Sequence, residues 1–268
     1  MSFLAQAARI VFSAALVCCA GAAAGHPTQS EAIGDPRSDA QPGDYQKTEA
    51  AESSLPRIAA LISRPKSEEN GLSRSLEPFG LATTNTSANM FAAKWGELQS
   101  RIQKEERKLA ACRGDQQTCP AGARRFLEIV ELGRGQQGRA RLGLVNRAVN
   151  LSIRPVSDWA QYGMEDFWSP PVATLAAGAG DCEDYAIVKY AALRQAGSEP
   201  DDLRIAIVRD VRRDTIHAVV AARLNGDWLI LDNRMLVMLN AAEAQHYEPL
   251  YLLDHRGVRE FVATAQVQ

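Results

Sequence analysis

Ten residues, Thr215 to Leu224, alternate without a break, and Asn225-Gly226 closes the run. Ile216, Ala218, Val220, Ala222 and Leu224 point one way; Thr215, His217, Val219, Ala221 and Arg223 point the other. A period of two at this length specifies a strand. Asn-Gly after it is a strong two-residue hairpin signal, so Asp227 to Leu231 returns as the partner strand. The register then follows. Leu224 opposes Asp227, Val219 opposes Asp232, and His217 opposes Arg234. Asp232 therefore shares a sheet face with His217, one diagonal step away, a backbone separation of roughly 7–8 Å that side chains can close. A three-residue loop would move Asp232 to the other face. A carboxylate beside a histidine fixes the ring tautomer and supports its cationic form. The plainer reading is a histidine satisfied inside a sheet and an acid in a strand-end turn.

A second constraint lies upstream, in Gly178-Ala179-Gly180-Asp181-Cys182-Glu183-Asp184. Residues 182–196 hold ten apolar or small side chains and five polar ones, the mix of a helix packed on most sides. Asp181 stands at its N-cap, Asp184 at the capping-box position, and Gly197 at C′. Cys182 would open this helix, where unpaired N–H groups and the positive end of the dipole favour thiolate. Asp181, Glu183 and Asp184 act the other way, because nearby like charge raises a thiol pKa. A hard divalent cation held by these three acids would resolve the conflict, and calcium, which takes six to eight oxygen ligands, suits them. Acids in a first helical turn are also ordinary complements of the dipole.

Cysteine usage depends on compartment. Arg9 precedes the apolar run Ile10 to Ala20, and Ala22-Ala23-Ala24 offers a small-residue cleavage site, so residues 1–24 read as a secretory signal peptide. A lipoprotein reading at Cys18 or Cys19 suits the preceding residues poorly. The apolar run is too short to span a bilayer comfortably, and no transmembrane segment is expected in the mature chain. Export leaves Cys112, Cys119 and Cys182. The first two are seven apart and free to pair in an oxidising compartment. Cys182 is then the odd thiol, either buried and inert or kept for its reactivity.

Residues 25–80 are polar and rich in Ser, Pro and Gly, and read as a disordered segment, becoming extended from about 76. Residues 81–268 form the folded domain. Its first half is helical: 87–111, 121–134 and 139–150 carry apolar residues at helical spacing, with a loop around Cys112 and Cys119. Asp158-Trp159 and Asp166-Phe167-Trp168 read as loop, before a short helix at 172–177. The tryptophans are either packed in the interior or line a groove for substrate. After Gly197 the period switches to strands at Leu203 to Val208, the hairpin, and Leu250 to Leu253. A net charge of −2 gives no reason to expect nucleic acid as a partner.

The joint pattern of Asp166-Phe167-Trp168-Ser169-Pro170, Gly180-Asp181-Cys182-Glu183-Asp184-Tyr185-Ala186, Lys189-Tyr190, His217 and Asp232 resembles the bacterial transglutaminase-like cysteine proteinase family, over roughly residues 85–255. The resemblance implies an α+β fold with a papain-like, transglutaminase-like core. N-terminal helices pack against an antiparallel β-sheet, and the catalytic cysteine opens a central helix. It implies a Cys182–His217–Asp232 triad and, from the LapG-type periplasmic members, calcium at Asp181, Glu183 and Asp184. Such members cleave large surface adhesins near their N-termini, controlling biofilm attachment, and are restrained by an inner-membrane cyclic di-GMP receptor. The expected activity is thus a periplasmic, calcium-dependent cysteine endopeptidase. The same triad could serve amide transfer, as in transglutaminases. A non-enzymatic reading is an exported calcium-binding adaptor with a spent thiol.

Overall fold

The computed structural model describes residues 77–86, 89–112 and 119–262. The signal-peptide and polar-segment expectations fall almost wholly outside them. Three helices come first: α1 (Met90–Cys112), α2 (Ala121–Arg134) and α3 (Gly138–Ser152). A disulfide between Cys112 and Cys119 ties the end of α1 to the approach of α2. The region read as loop contains a short helix, α4 (Asp158–Tyr162), capped by Ser157, whose side chain accepts from Ala160 N. Then come α5 (Pro171–Ala177) and α6 (Cys182–Gln195). Twelve of the fourteen residues of α6 are buried, as its composition requires. Gly197, in the left-handed region at φ 93°, follows it as expected of a C′ residue.

The second half is a seven-stranded antiparallel sheet. Its strands are β1 (Thr83–Asn85), β4 (Leu203–Asp210), β5 (Thr215–Leu224), β6 (Asp227–Leu231), β7 (Leu239–Asn240), β8 (Tyr247–Asp254) and β9 (Gly257–Phe261), in the order β1-β9-β8-β4-β5-β6-β7. The predicted register holds: Leu224 pairs with Asp227 and Val220 with Leu231. Asn225 and Gly226 both take positive φ, which the tight turn requires. Two further strands, β2 (Arg154–Pro155) and β3 (Ala179–Gly180), form a separate parallel pair.

Both faces of the sheet are buried. Ala218, Val220, Ala222, Leu229 and Leu231 join α6 and the other helices in the larger core. Val208, Val219, Ala221, Ile230 and Tyr247 form a second cluster with Ala241 and Ala244, against which Phe79 and Leu81 pack. The body of α6 rests on the Ala218 face, not on the face whose parity His217 shares. Apolar residues occupy both alternating sets of β5, so alternation alone could not say which set the helix covers. Among the described residues no helix is long and apolar enough to cross a membrane.

Candidate active site

Cys182 is the first residue of α6 and is 1% exposed. Its Sγ donates to Glu183 Oε2 at 2.8 Å. Asp181 occupies the N-cap with extended backbone, but its side chain makes no capping hydrogen bond. Asp184 does reach back, accepting from the Asp181 backbone, and its Oδ1 accepts from Ser169 N at 2.9 Å. The carboxylate Asp181 was expected to spend on the cap is instead turned toward other acids.

Those acids are Asp158 and Asp184. With Asp181 they are buried, and one carboxylate oxygen from each lies within 4.8 Å of the others. Asp158 arrives through the small parallel pair: Pro155 lies beside Gly180, and Val156 N donates to Gly180 O at 3.0 Å. The start of α4 is thereby set beside the start of α6. Gly180 is required here, since a Cβ on it would meet Asp184 Oδ2 at 2.5 Å. That oxygen is buried without a hydrogen-bond partner. Burial, and then the charges of Asp181 and Asp158, push the Asp184 carboxyl up to about 8. Three buried carboxylates and an unsatisfied oxygen match what a divalent cation with oxygen ligands needs. Glu183 is not part of this cluster; it faces the thiol. Sequence reading missed Asp158, although Ser157 and Gly163 carry the signature of a capped helix around it.

The segment 166–170 is strapped over these acids. Phe167 N donates to Asp158 Oδ2 and Ser169 N to Asp184. From α1, Lys94 pairs with Asp166, and Arg101 Nη1 donates to Trp168 O at 3.0 Å. Trp168 is buried, whereas Trp159 is 69% exposed on α4. Trp168 therefore follows the packed reading, and Trp159 stands out on the surface of α4.

His217 and Asp232 are brought together as the hairpin register implied. Nε2 lies 2.9 Å from Asp232 Oδ1. Arg234 N donates to the same oxygen at 2.9 Å, and Tyr247 Oη donates to Oδ2 at 2.5 Å. Asn150 of α3 holds the Asp232 main-chain oxygen at 2.9 Å. Burial alone would raise the Asp232 carboxyl, but the hydrogen bonds and charge of His217, with the Arg234 and Tyr247 bonds, hold it well below the usual carboxylate range. Tyr247, whose ring centroid lies 5.9 Å from that of His217, was not singled out from sequence. Its strand start has no local pattern that points to a site.

Two observations relate α6 to this pair. The helix packs against β5, the strand that carries His217. Glu183, beside Cys182, also lines a small gap with Ile207, and Ile207 pairs with Ala218, the neighbour of His217. The first turn of α6 therefore meets the sheet at the level of His217.

Residues 108–251 match the family model described as bacterial transglutaminase-like cysteine proteinase. The chain belongs to that family. It is accordingly a cysteine peptidase with a transglutaminase-like fold. Solved structures similar to this family member include Legionella pneumophila LapG, 23% identical, covering 62% of this chain and 87% of that one with a TM-score of 0.47. A calcium-bound form of Legionella pneumophila LapG is 22% identical, covering 64% and 89%, with a TM-score of 0.48. A structure from Cytophaga hutchinsonii is 18% identical, covering 52% of each chain, with a TM-score of 0.32. No curated protein sequence matches. The assignment rests on the family match.

Proposed function

We propose that this family member is a calcium-dependent endopeptidase of the periplasm in which Cys182 is the nucleophile, His217 the general base and acid, and Asp232 the group that orients His217. The observation that carries the reading is the His217–Asp232 pair, set at the level where the first turn of α6 reaches the sheet. The thiolate attacks the scissile carbonyl and forms an acyl-enzyme. His217 gives its proton to the leaving amine, then takes one from the water that releases the acid. With Nε2 directed at Asp232, this proton passes through Nδ1. The Cys182 backbone N–H, at the helix start, would donate to the oxyanion.

Asp158, Asp181 and Asp184 are the residues that would hold calcium. Bound there, the ion would supply positive charge that offsets the acids around the sulfur. The substrate we infer from family membership is the N-terminal region of a large surface adhesin, with an inner-membrane cyclic di-GMP receptor as the restraining partner.

The test is cleavage of such an adhesin fragment by the purified chain, with calcium or with a chelator. Cys182→Ala should fold, keep calcium and cleave nothing, and His217→Ala should lose roughly 10²–10⁴-fold in kcat. Cleavage by Cys182→Ala refutes the nucleophile, and full activity in chelator refutes the calcium requirement.

A further inference from the structure

Asp210, the last residue of β4, is a fully buried acid that the proposed chemistry does not use. A buried carboxylate is costly unless partners replace its lost water, and three donors do so. Arg212 N donates to Oδ1 at 3.1 Å, while Arg213 Nη1 and Arg234 Nη1 donate to Oδ2 at 3.0 and 2.8 Å. Burial by itself would raise this carboxyl, but the Arg213 bond, the Arg212 amide and the charges of both arginines hold it low. Two of the donors are local to the turn after β4. The third comes from the chain that leaves β6, two residues past Asp232. The strand pairing explains the meeting. Val208 pairs with His217, and Asp210 with Thr215 on one side and Tyr247 on the other. Paired residues share a face, as do alternate residues of one strand, so Asp210, His217 and Tyr247 stand on the same face. Asp232 needs placing there by something other than the sheet, because β6 leaves the ladder at Leu231. Arg234 bridges the gap. Its amide donates at 2.9 Å to Asp232 Oδ1, the oxygen that also meets His217 Nε2, and its guanidinium is anchored on Asp210. Helix α3 grips the same stretch by its main chain: Asn150 Nδ2 donates to Asp232 O at 2.9 Å and to Met235 O at 3.0 Å.

We propose that Arg234 and Asp210 are positioning residues of the active site: their ion pair ties the turn after β6 to the end of β4 and so aims Asp232 Oδ1 at His217. The inference rests on the reading of His217 and Asp232 as a working pair. A charge-assisted bond to a buried carboxylate is stronger and more directional than a neutral one, which suits it to fix a turn that the ladder does not reach. Cut from Asp210, the Arg234 amide loses its fixed place beside Asp232, and the carboxylate loses its aim.

The experiment reads the far-downfield proton resonance of the His217 ring N–H bonded to Asp232, in the full chain carrying Cys182→Ala, which blocks self-cleavage. Excess calcium is present throughout, and the resonance is assigned by its loss in His217→Gln. Arg234→Gln and Asp210→Asn should each abolish it, and the two together should do no more than either alone, since both cut one link. The Arg234 amide should exchange at least about tenfold faster in each, the equivalent of one bond to a charged group. Arg234→Lys, which keeps the charge, should retain the resonance. So should Arg213→Gln, which removes a partner of Asp210 but no link to Asp232. A protein with Arg234→Gln that melts earlier with the resonance intact overturns the proposal, and so does its loss in Arg213→Gln. Asp232→Asn separates the two readings. If the resonance survives it, the pair itself fails and takes this inference with it. If Asp232→Asn abolishes the resonance while Arg234→Gln and Asp210→Asn leave it, this inference alone fails. Should neither of those two variants fold, amide exchange is measured in the parent chain. The Arg234 amide should then be as slow as the paired amides of β6, and exchange at the rate of an open loop overturns the proposal.

Discussion

Asp232 is held by more than the histidine it pairs with. Tyr247 donates to its second oxygen and places its own ring beside His217. Tyr247→Phe keeps the ring and removes the bond, leaving a buried carboxylate oxygen unsatisfied. It should cost about 1–3 kcal/mol in urea unfolding and lower kcat more than it changes KM. A variant with unaltered stability would show that the hydroxyl contributes nothing. The acids around the thiol make the opposite case. Asp184, raised to about 8, binds its proton more tightly in the folded state than in the unfolded one. Stability without metal should therefore fall as pH rises from the ordinary aspartate range toward 8. A cation takes the proton's place, so a chelator should lower the melting temperature far more near pH 8 than in mildly acidic buffer. An equal drop at both would rule out these carboxylates as the site. The sequence pointed to Cys182, Asp181 and Asp184 by their adjacency, and to Asp232 by register. Asp158, Tyr247 and the true position of Glu183 had no such local mark.

Elements with a period were legible. Helices α1, α2, α3 and α6 and the β5–β6 hairpin carry apolar spacing long enough to read, and their observed limits lie within a few residues of expectation. What escaped is short. The two-residue strands β2 and β3 have no period, yet their pairing sets α4 beside α6 and brings Asp158 to Asp181. β9 was missed because its five residues, Gly257–Phe261, mix charge and apolar character without strict alternation. The Cys112–Cys119 bond, which sequence left as a choice, joins the first two helices. Closing a loop this short constrains the unfolded chain modestly, so the double Cys→Ser variant should unfold about 2–3 kcal/mol more easily in urea. No change in the midpoint would mean the helices hold each other without it.

At the largest scale, the described residues form a sheet clothed on both faces, with a charged cluster across the ends of β4, β8 and β9. Glu77, just ahead of β1, pairs with Arg204 at 2.9 Å and with Arg259, and both arginines also reach Asp254. Burial would raise the Glu77 carboxyl, but the arginine hydrogen bonds overcome it and hold the group low. A depressed acid contributes stability above its unfolded value and loses it as pH falls through the folded one. Glu77→Gln should thus cost about 1.5–3 kcal/mol near neutral pH, and the gap from wild type should close as the solution becomes acid. Hydrogen exchange of the backbone around β1 should rise with it. A gap that persists in acid would assign the cost to shape instead of charge.

Placement that depends on neighbours in sequence was legible in the sequence itself. A cysteine among acids at a helix start, and a histidine and aspartate matched across a two-residue turn, follow from local geometry and the pleat. Which face of β5 the helix covers, and which third acid completes the cluster, depended on packing. Both sets of β5 side chains are apolar enough to be buried, and Asp158 lies far from Asp181 along the chain. Only the folded arrangement of helices on the sheet could choose between the faces and close that distance.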